Sequence, residues 1–248
     1  MTRFKITIEY DGTTLAGWQR QDNGPTVQAG LEAAAAKLVG QAVEVIGAGR
    51  TDAGVHASGQ VAHLDIEKDL TIDAVRDGLN FWLRETGTTV VVVKTAEVAA
   101  PDFHARFSAV ERRYIYRVLN RRVSSPLDRD RVWWVPTALD AAAMQEAAKK
   151  LEGKHDFSTF RAAECQAASP VKTLDRLEVT RIGDELRIDA RARSFLHHQV
   201  RNLVGSLKLV GEGRWSVADL VTALEAKDRT KGGPTAPAAG LTLVEVVY

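Results

Sequence analysis

Along the first hundred of its 248 residues this chain changes its apolar period several times, and each change predicts an element. Residues 4–8, Phe-Lys-Ile-Thr-Ile, alternate apolar with polar, as a half-buried strand does. Over residues 29–39 the spacing becomes helical: Leu31, Ala35 and Leu38 fall on one stripe and Gly40 supplies a stop. Residues 43–46 read as a short strand and residues 60–65, Gln-Val-Ala-His-Leu-Asp, as an alternating one. Thr71 is a candidate N-cap for a helix over residues 72–83, where Ile72, Val75, Leu79 and Leu83 share a stripe. Gly87 ends that segment, and residues 88–95 return to strand. The order is βαββαβ.

From Arg113 the outline returns with insertions. Residues 114–119 and 131–135 predict strands and residues 139–151 an alanine-rich helix. Residues 172–181 and 185–193 predict a hairpin that turns at Gly183-Asp184. Helices are expected over residues 195–210 and 217–226, and a last strand over residues 241–247. The expected class is therefore α/β (α+β): two ferredoxin-like halves with side-by-side, mainly antiparallel sheets and a central active-site cleft. Residues 97–102, which include Ala99, Ala100 and Pro101, mark the boundary, giving an expected division into residues 1–105 and 106–248.

Composition changes this picture little. A hydrophobic content of 45% with 26% charged residues excludes a disordered chain. No apolar run reaches membrane-spanning length, and the first residues lack the apolar core of a signal peptide. Cys165 is the single cysteine, so no internal disulfide forms, and a cytoplasmic location is expected. Charge adds more. The net charge is +1, yet residues 106–131 carry eight arginines against three acids, while residues 60–102 carry a net −4. Arginines interleaved with Tyr114 and Tyr116 suit a surface that meets phosphates and offers rings to bases, although a solvated strand face has the same composition.

The densest chemistry lies in residues 47–65, GAGRTDAGVHASGQVAHLD. Glycines surround Arg50-Thr51-Asp52, which marks backbone that turns sharply or approaches something closely. In an extended segment Arg50 and Asp52 share one face. An adjacent guanidinium favours the ionised carboxylate, which suits Asp52 to nucleophilic attack or proton abstraction. An ordinary loop ion pair has the same spacing.

The string GRTDAGVH resembles the signature of the TruA family of tRNA pseudouridine synthases, and similar segments continue along the chain. They are Glu9-Tyr10-Asp11-Gly12 with Gly17-Trp18-Gln19-Arg20-Gln21, Asp102-Phe103-His104-Ala105-Arg106-Phe107-Ser108, Arg112-Arg113-Tyr114, Phe157-Ser158-Thr159-Phe160-Arg161, Phe195-Leu196-His197-His198-Gln199-Val200-Arg201-Asn202, and Thr235-Ala236-Pro237 with Gly240-Leu241. The resemblance implies isomerisation of uridine to pseudouridine at positions 38 to 40 of the tRNA anticodon stem-loop, without cofactor and as a homodimer. It implies Asp52 as nucleophile, Tyr114 as the ring packed on the target base, Arg50 at a phosphate or in the flipped base's place, and Arg201 as the second active-site arginine, pairing with Asp52. Residues 80–87, NFWLRETG, depart from the family in lacking a Leu-Pro pair, so a different turn is expected there.

Two rival readings use other residues. A metal-dependent hydrolase would draw on Asp52, His56, His63, Asp65, His197 and His198. Against it, neither His-x-x-x-His nor Cys-x-x-Cys occurs, and on a helix His197 and His198 would diverge by about a hundred degrees, so no metal is expected. A noncatalytic RNA-binding protein would use the basic segment alone, with no need for a carboxylate beside phosphate.

Overall fold

Side-chain alternation builds the first strand of the computed structural model, which describes residues 1–248. In β1 (Thr2–Tyr10), Phe4, Ile6, Ile8 and Tyr10 are buried and the residues between them are not. Helix α1 (Val27–Val39) starts where the Thr26 hydroxyl accepts the Ala29 N–H and stops at Gly40 in the left-handed region. Then come β2 (Ile46–Gly47), β3 (His56–Ile66), α2 (Ile72–Glu85) and β4 (Val91–Val98). Thr71 caps α2 through its hydroxyl, which accepts the Ala74 N–H. The later elements are β5 (Glu111–Leu119), β6 (Trp133–Trp134), α3 (Ala141–Lys149), β7 (Gly153–Asp156), β8 (Val171–Leu174), β9 (Arg176–Ile182), β10 (Glu185–Ala192), α4 (Gln199–Gly211), α5 (Val217–Ala226) and β11 (Leu241–Val247). The class is mixed α and β with mainly antiparallel strand pairing, as the sequence implies.

The chain divides into two compact units, Met1–Val110 with Thr242–Tyr248, and Glu111–Leu241. In the first unit β1 lies antiparallel between β3 and β4. The far edge of β3 is shared: β2 pairs with its second half, at His63 and Ala62, and β11 runs parallel to its start, with Thr242 and Leu243 opposite His56 and Ala57. Residues 242–248 are tied in further by the Val110 N–H to Val247 O and by the Tyr248 hydroxyl, which donates to Ala105 O at 2.8 Å. In the second unit β10 pairs antiparallel with β5 and β9, β6 runs parallel to β5, and β7 and β8 form a separate pair.

Several elements differ from the sequence reading, each for a local reason. The predicted strand over residues 172–181 breaks at Asp175, whose N–H goes to Arg191 O, so that β8 serves β7 and β9 serves β10. β7, Gly-Lys-His-Asp, has no apolar alternation to announce it. The helix predicted from Phe195 starts at Gln199: the Gln199 side chain accepts the Leu196 N–H at 2.8 Å, its own N–H goes to Leu196 O, and His198 takes φ 60°. After α2, no proline is needed: the Thr86 hydroxyl donates to Trp82 O and Gly87 takes φ 81°. Asn80 ties the helix to β4, its amide exchanging two 2.8 Å hydrogen bonds with the Val93 backbone.

Polar side chains also lock the first unit. Arg3 forms a two-pronged pair with Asp65 at 2.8 and 2.7 Å and donates to Pro101 O and Phe103 O. The Arg3 hydrogen bonds hold the Asp65 carboxyl below its usual range. His63 is 3% exposed, and its Nδ1 accepts the Ala105 N–H at 3.1 Å. Burial, and after it the charges of Arg3 and His104, push the His63 pKa down to about 4 against an opposing Asp65. The unfolded chain takes up a proton near pH 6.5 that the folded chain refuses until about 4, so stability is full above that window and falls as pH drops through it. Urea unfolding is expected to show a loss on the order of 3 kcal/mol across this window, and His63→Gln is expected to flatten that part of the profile.

Candidate active site

The loop between β2 and β3 has almost no room around its backbone. Gly17 explains one side of it: at φ 102° its N–H neighbour Trp18 donates to Thr51 O at 3.0 Å, and a Cβ on Gly17 would sit 2.6 Å from that oxygen. On the other side Gly54, at φ 77°, donates to Leu15 O, and the Val55 N–H closes a turn onto Asp52 O at 3.1 Å. Gly17 therefore serves close backbone approach, and Gly54 a left-handed turn of the kind the glycines around Arg50-Thr51-Asp52 imply.

Within the loop, Arg50 is exposed, Thr51 is buried and Asp52 is half-buried. The alternation places the two charged side chains on the outward side and the threonine inward, where its hydroxyl lies 2.8 Å from the Tyr10 hydroxyl. Arg50 is oriented by Gln19, whose side-chain oxygen accepts its Nε–H at 2.9 Å, and Gln19 in turn donates to Gln28. Beneath, Gln60 is fully buried and donates to Gly49 O at 2.8 Å. Neither Tyr10 nor Gln60 stands out as a site residue in the sequence. Tyr10 reads as a strand aromatic within Glu-Tyr-Asp-Gly, and Gln60 as a polar residue opening β3, a strand that the structure encloses on both sides.

Of the ligand types that favoured a hydrolase, His56, His63 and Asp65 are held by other partners. His56 is buried, with Nδ1 accepting the Gly12 N–H at 3.1 Å and lying 3.2 Å from Asp11. His63 is engaged with Ala105 and Asp65 with Arg3. For His197 and His198 the sequence argument needs correcting. Both precede the helix, and in this turn their rings lie 4.1 Å apart instead of diverging around a helix axis.

The other two candidates belong to the second unit. Tyr114 lies on the buried face of β5, 8% exposed, with the edge of Phe195 against it at 5.2 Å and 90°. Arg201, on α4, donates from Nε to Ala236 O at 2.8 Å, and its own carbonyl accepts the Ala236 N–H at 3.1 Å. Flanking that exchange, Thr235 donates to Asn202 at 2.7 Å and the Tyr116 hydroxyl donates to Pro237 O at 2.7 Å. The Thr235-Ala236-Pro237 motif is thus held between the helix that carries Arg201 and the strand that carries Tyr114. A further arginine, Arg229, reaches Gly233 O, Asn202 and Thr235 in the same network, and nothing in its sequence surroundings marks it.

The basic segment is less free for phosphate than its composition suggests. Arg112 donates to Arg193 O, Arg113 pairs with Asp189 at 2.7 Å, and Arg117 pairs with Glu185 and Asp128. Arg121 braces its own loop through Val123 O and Ser124 O. Burial pushes the Asp189 carboxyl up, but hydrogen bonds from Arg113 and Arg191 outweigh it and hold the group below its usual range. Two arginines of β5, Arg113 and Arg117, meet acids of β10 across the sheet, which composition cannot reveal.

A profile of the family described as tRNA pseudouridine synthase matches residues 6–108 and 147–248. The chain is 61% identical over 248 residues to tRNA pseudouridine synthase A of Paramagnetospirillum magneticum, covering 100% of this chain and 96% of that protein. It is 59% identical to the protein of that name in Xanthobacter autotrophicus, with 100% of each chain covered, and 60% identical to that of Azorhizobium caulinodans, with 100% and 95% covered. Tyr114 falls between the two stretches of the profile match but inside the full-length similarity. Because its ring is buried against Phe195, Tyr114→Ala is expected to cost about 3–5 kcal/mol of stability. A double-mutant cycle with Phe195→Ala, read by denaturant unfolding, is expected to give a coupling of about 0.5–1.5 kcal/mol.

Proposed function

Because the chain belongs to the tRNA pseudouridine synthase family, we propose that its target uridines are those at positions 38 to 40 of the tRNA anticodon stem-loop and that Asp52 is the nucleophile. The reaction is the isomerisation of uridine in tRNA to pseudouridine. The bond from ribose C1′ to uracil N1 breaks, the base turns, and C1′ rejoins at C5. C5 gives up its proton and N1 takes one. Atoms and electrons balance within the nucleotide, so the chemistry calls for no oxidant, reductant or energy donor.

The observation that carries the reading is Asp52 itself, a half-buried carboxylate on a tightly packed loop, in a chain whose full length aligns with relatives bearing this activity in their name. A carboxylate is a competent nucleophile at a sugar carbon, and it is equally suited to attack the base or to remove a sugar proton.

A uridine in a stem must first leave the stack, at a cost of a few kcal/mol, and an aromatic face offsets part of that cost. We assign this face to Tyr114, whose ring is already ordered by Phe195. Arg50, exposed and oriented by Gln19, is assigned to a phosphate or to the flipped base's place, and Arg201, held at Nε by Ala236, is assigned as the second active-site arginine. The resemblance further supports a homodimer acting in the cytoplasm, where tRNA is modified. No helix is long and apolar enough to cross a membrane.

Release of tritium from C5-labelled uridine in unmodified tRNA tests the activity, since a hydrolase or a passive binder releases none. Asp52→Asn keeps size and removes charge, so it is expected to abolish release while tRNA affinity and thermal midpoint stay near those of the parent. Turnover within about tenfold of the parent removes Asp52 from this role. Excess chelator is expected to leave turnover intact when polyamine keeps the tRNA folded, because Asp52 supplies the nucleophile that a metal-bound hydroxide supplies in a hydrolase. Activity that vanishes with folded tRNA and returns only with one transition metal overturns the assignment.

A further inference from the structure

Under the loop that bears Asp52 lies a group of buried polar side chains that isomerisation itself does not call for. Tyr10 is 3% exposed, Gln60 0% and Thr51 7%. Polar groups this deep are costly unless each is hydrogen-bonded, and an apolar trio would fill the same space at less cost. All three are engaged. The Tyr10 and Thr51 hydroxyls lie 2.8 Å apart. Gln60 accepts the Val61 N–H at 3.2 Å through its side-chain oxygen, which fixes the amide so that its nitrogen faces Gly49 O at 2.8 Å. Burial raises the Tyr10 pKa to about 12 against hydrogen bonds from Thr51 and Gln60, so the phenol keeps its proton and its capacity to donate.

What these bonds fix is direction. Gly49 O and the Thr51 side chain are held on either side of Arg50, and the Thr51 side chain and the turn bond from Val55 N–H to Asp52 O on either side of Asp52. Exposure alternates along Arg50-Thr51-Asp52, so a threonine held inward turns both charged neighbours outward. Backbone bonds alone restrain the loop's position but leave the Thr51 side chain, and with it the rotation of this tripeptide, without a fixed reference.

We infer that Tyr10, acting through Thr51, and Gln60, acting through Gly49, are positioning residues that aim the Asp52 carboxylate without touching the substrate. The inference rests on the reading of Asp52 as nucleophile. Misplacing a reacting group by about 1 Å costs on the order of a hundredfold in rate, and that sets the scale.

The test uses the full-length protein and unmodified tRNA, with tritium release giving kcat and KM, filter binding giving tRNA affinity, and thermal unfolding as control. Tyr10→Phe keeps the ring and removes the hydroxyl, Thr51→Val keeps the shape and removes the partner, and Thr51→Ser keeps the hydroxyl. Tyr10→Phe and Thr51→Val are expected to lower kcat by about ten- to a hundredfold with KM and affinity within twofold, and Thr51→Ser is expected to recover most of the rate. The double variant Tyr10→Phe with Thr51→Val is expected to lose no more than the worse single one, because both break one contact. Two results overturn the inference: a kcat within threefold of the parent in Tyr10→Phe, or losses confined to KM. A Thr51→Val protein that does not fold leaves Tyr10→Phe and Thr51→Ser to decide. Asp52→Asn separates the two readings. If it is inactive while Tyr10→Phe is fully active, positioning alone fails; if it turns over normally, the nucleophile assignment fails and takes this inference with it.

Discussion

One rotational constraint governs the loop between β2 and β3: in Arg50-Thr51-Asp52, turning the middle side chain inward turns the two beside it outward. Thr51 is buried against Tyr10, its carbonyl accepts the Trp18 N–H, and Gly17 lies too close to that carbonyl to carry a side chain. The arrangement needs β1 to deliver Tyr10 from its last position, β3 to deliver Gln60 from a doubly enclosed one, and the segment around Gly17 to close over the top. Residues 10–18 and Gln60 thus converge on the loop from Gly49 to Asp52. The fold of the first unit is what makes that convergence rigid.

The two units handle charge differently. In the first, the carboxylate read as nucleophile stays half-buried, while ionisable groups at the far end of β3 are paired or neutral: Asp65 with Arg3, His63 without its proton. In the second, a β5 arginine meets an acid of β10, forming pairs that keep positive charge in fixed places. Such partly buried pairs contribute modest net stability after desolvation, but they hold guanidinium planes in register.

Periodicity carried most of the fold. The apolar stripes of α1 and α2, the Thr71 cap and the alternation of β1 are local signals, and each element appears where its signal lies. What was not legible depends on partners distant in sequence. Phe195 and Leu196 fit a helical stripe, yet the first packs on Tyr114 and the second bonds to the Gln199 side chain, so the helix waits until Gln199. His63, two residues before Asp65, looks like the wet side of a strand because alternation cannot tell one open face from none. For the site, the glycines and the Arg50, Asp52 pair were visible because their chemistry is local. Tyr10, Gln60 and Arg229 were not, since a buried hydrogen bond leaves no mark in the spacing of either partner.

The return of residues 242–248 to the first unit has a consequence for how the protein is made. A ribosome emits the strands β1, β3 and β4 long before it emits β11, and until then the edge of β3 at His56 and Ala57, immediately after the loop with Asp52, has no parallel partner. Folding of the first unit therefore closes on a contact of very high sequence separation, the slowest kind to form. The second unit is nearly complete by that time. An order follows in which the start of β3 is the last part of the first unit's sheet to acquire its partner strand.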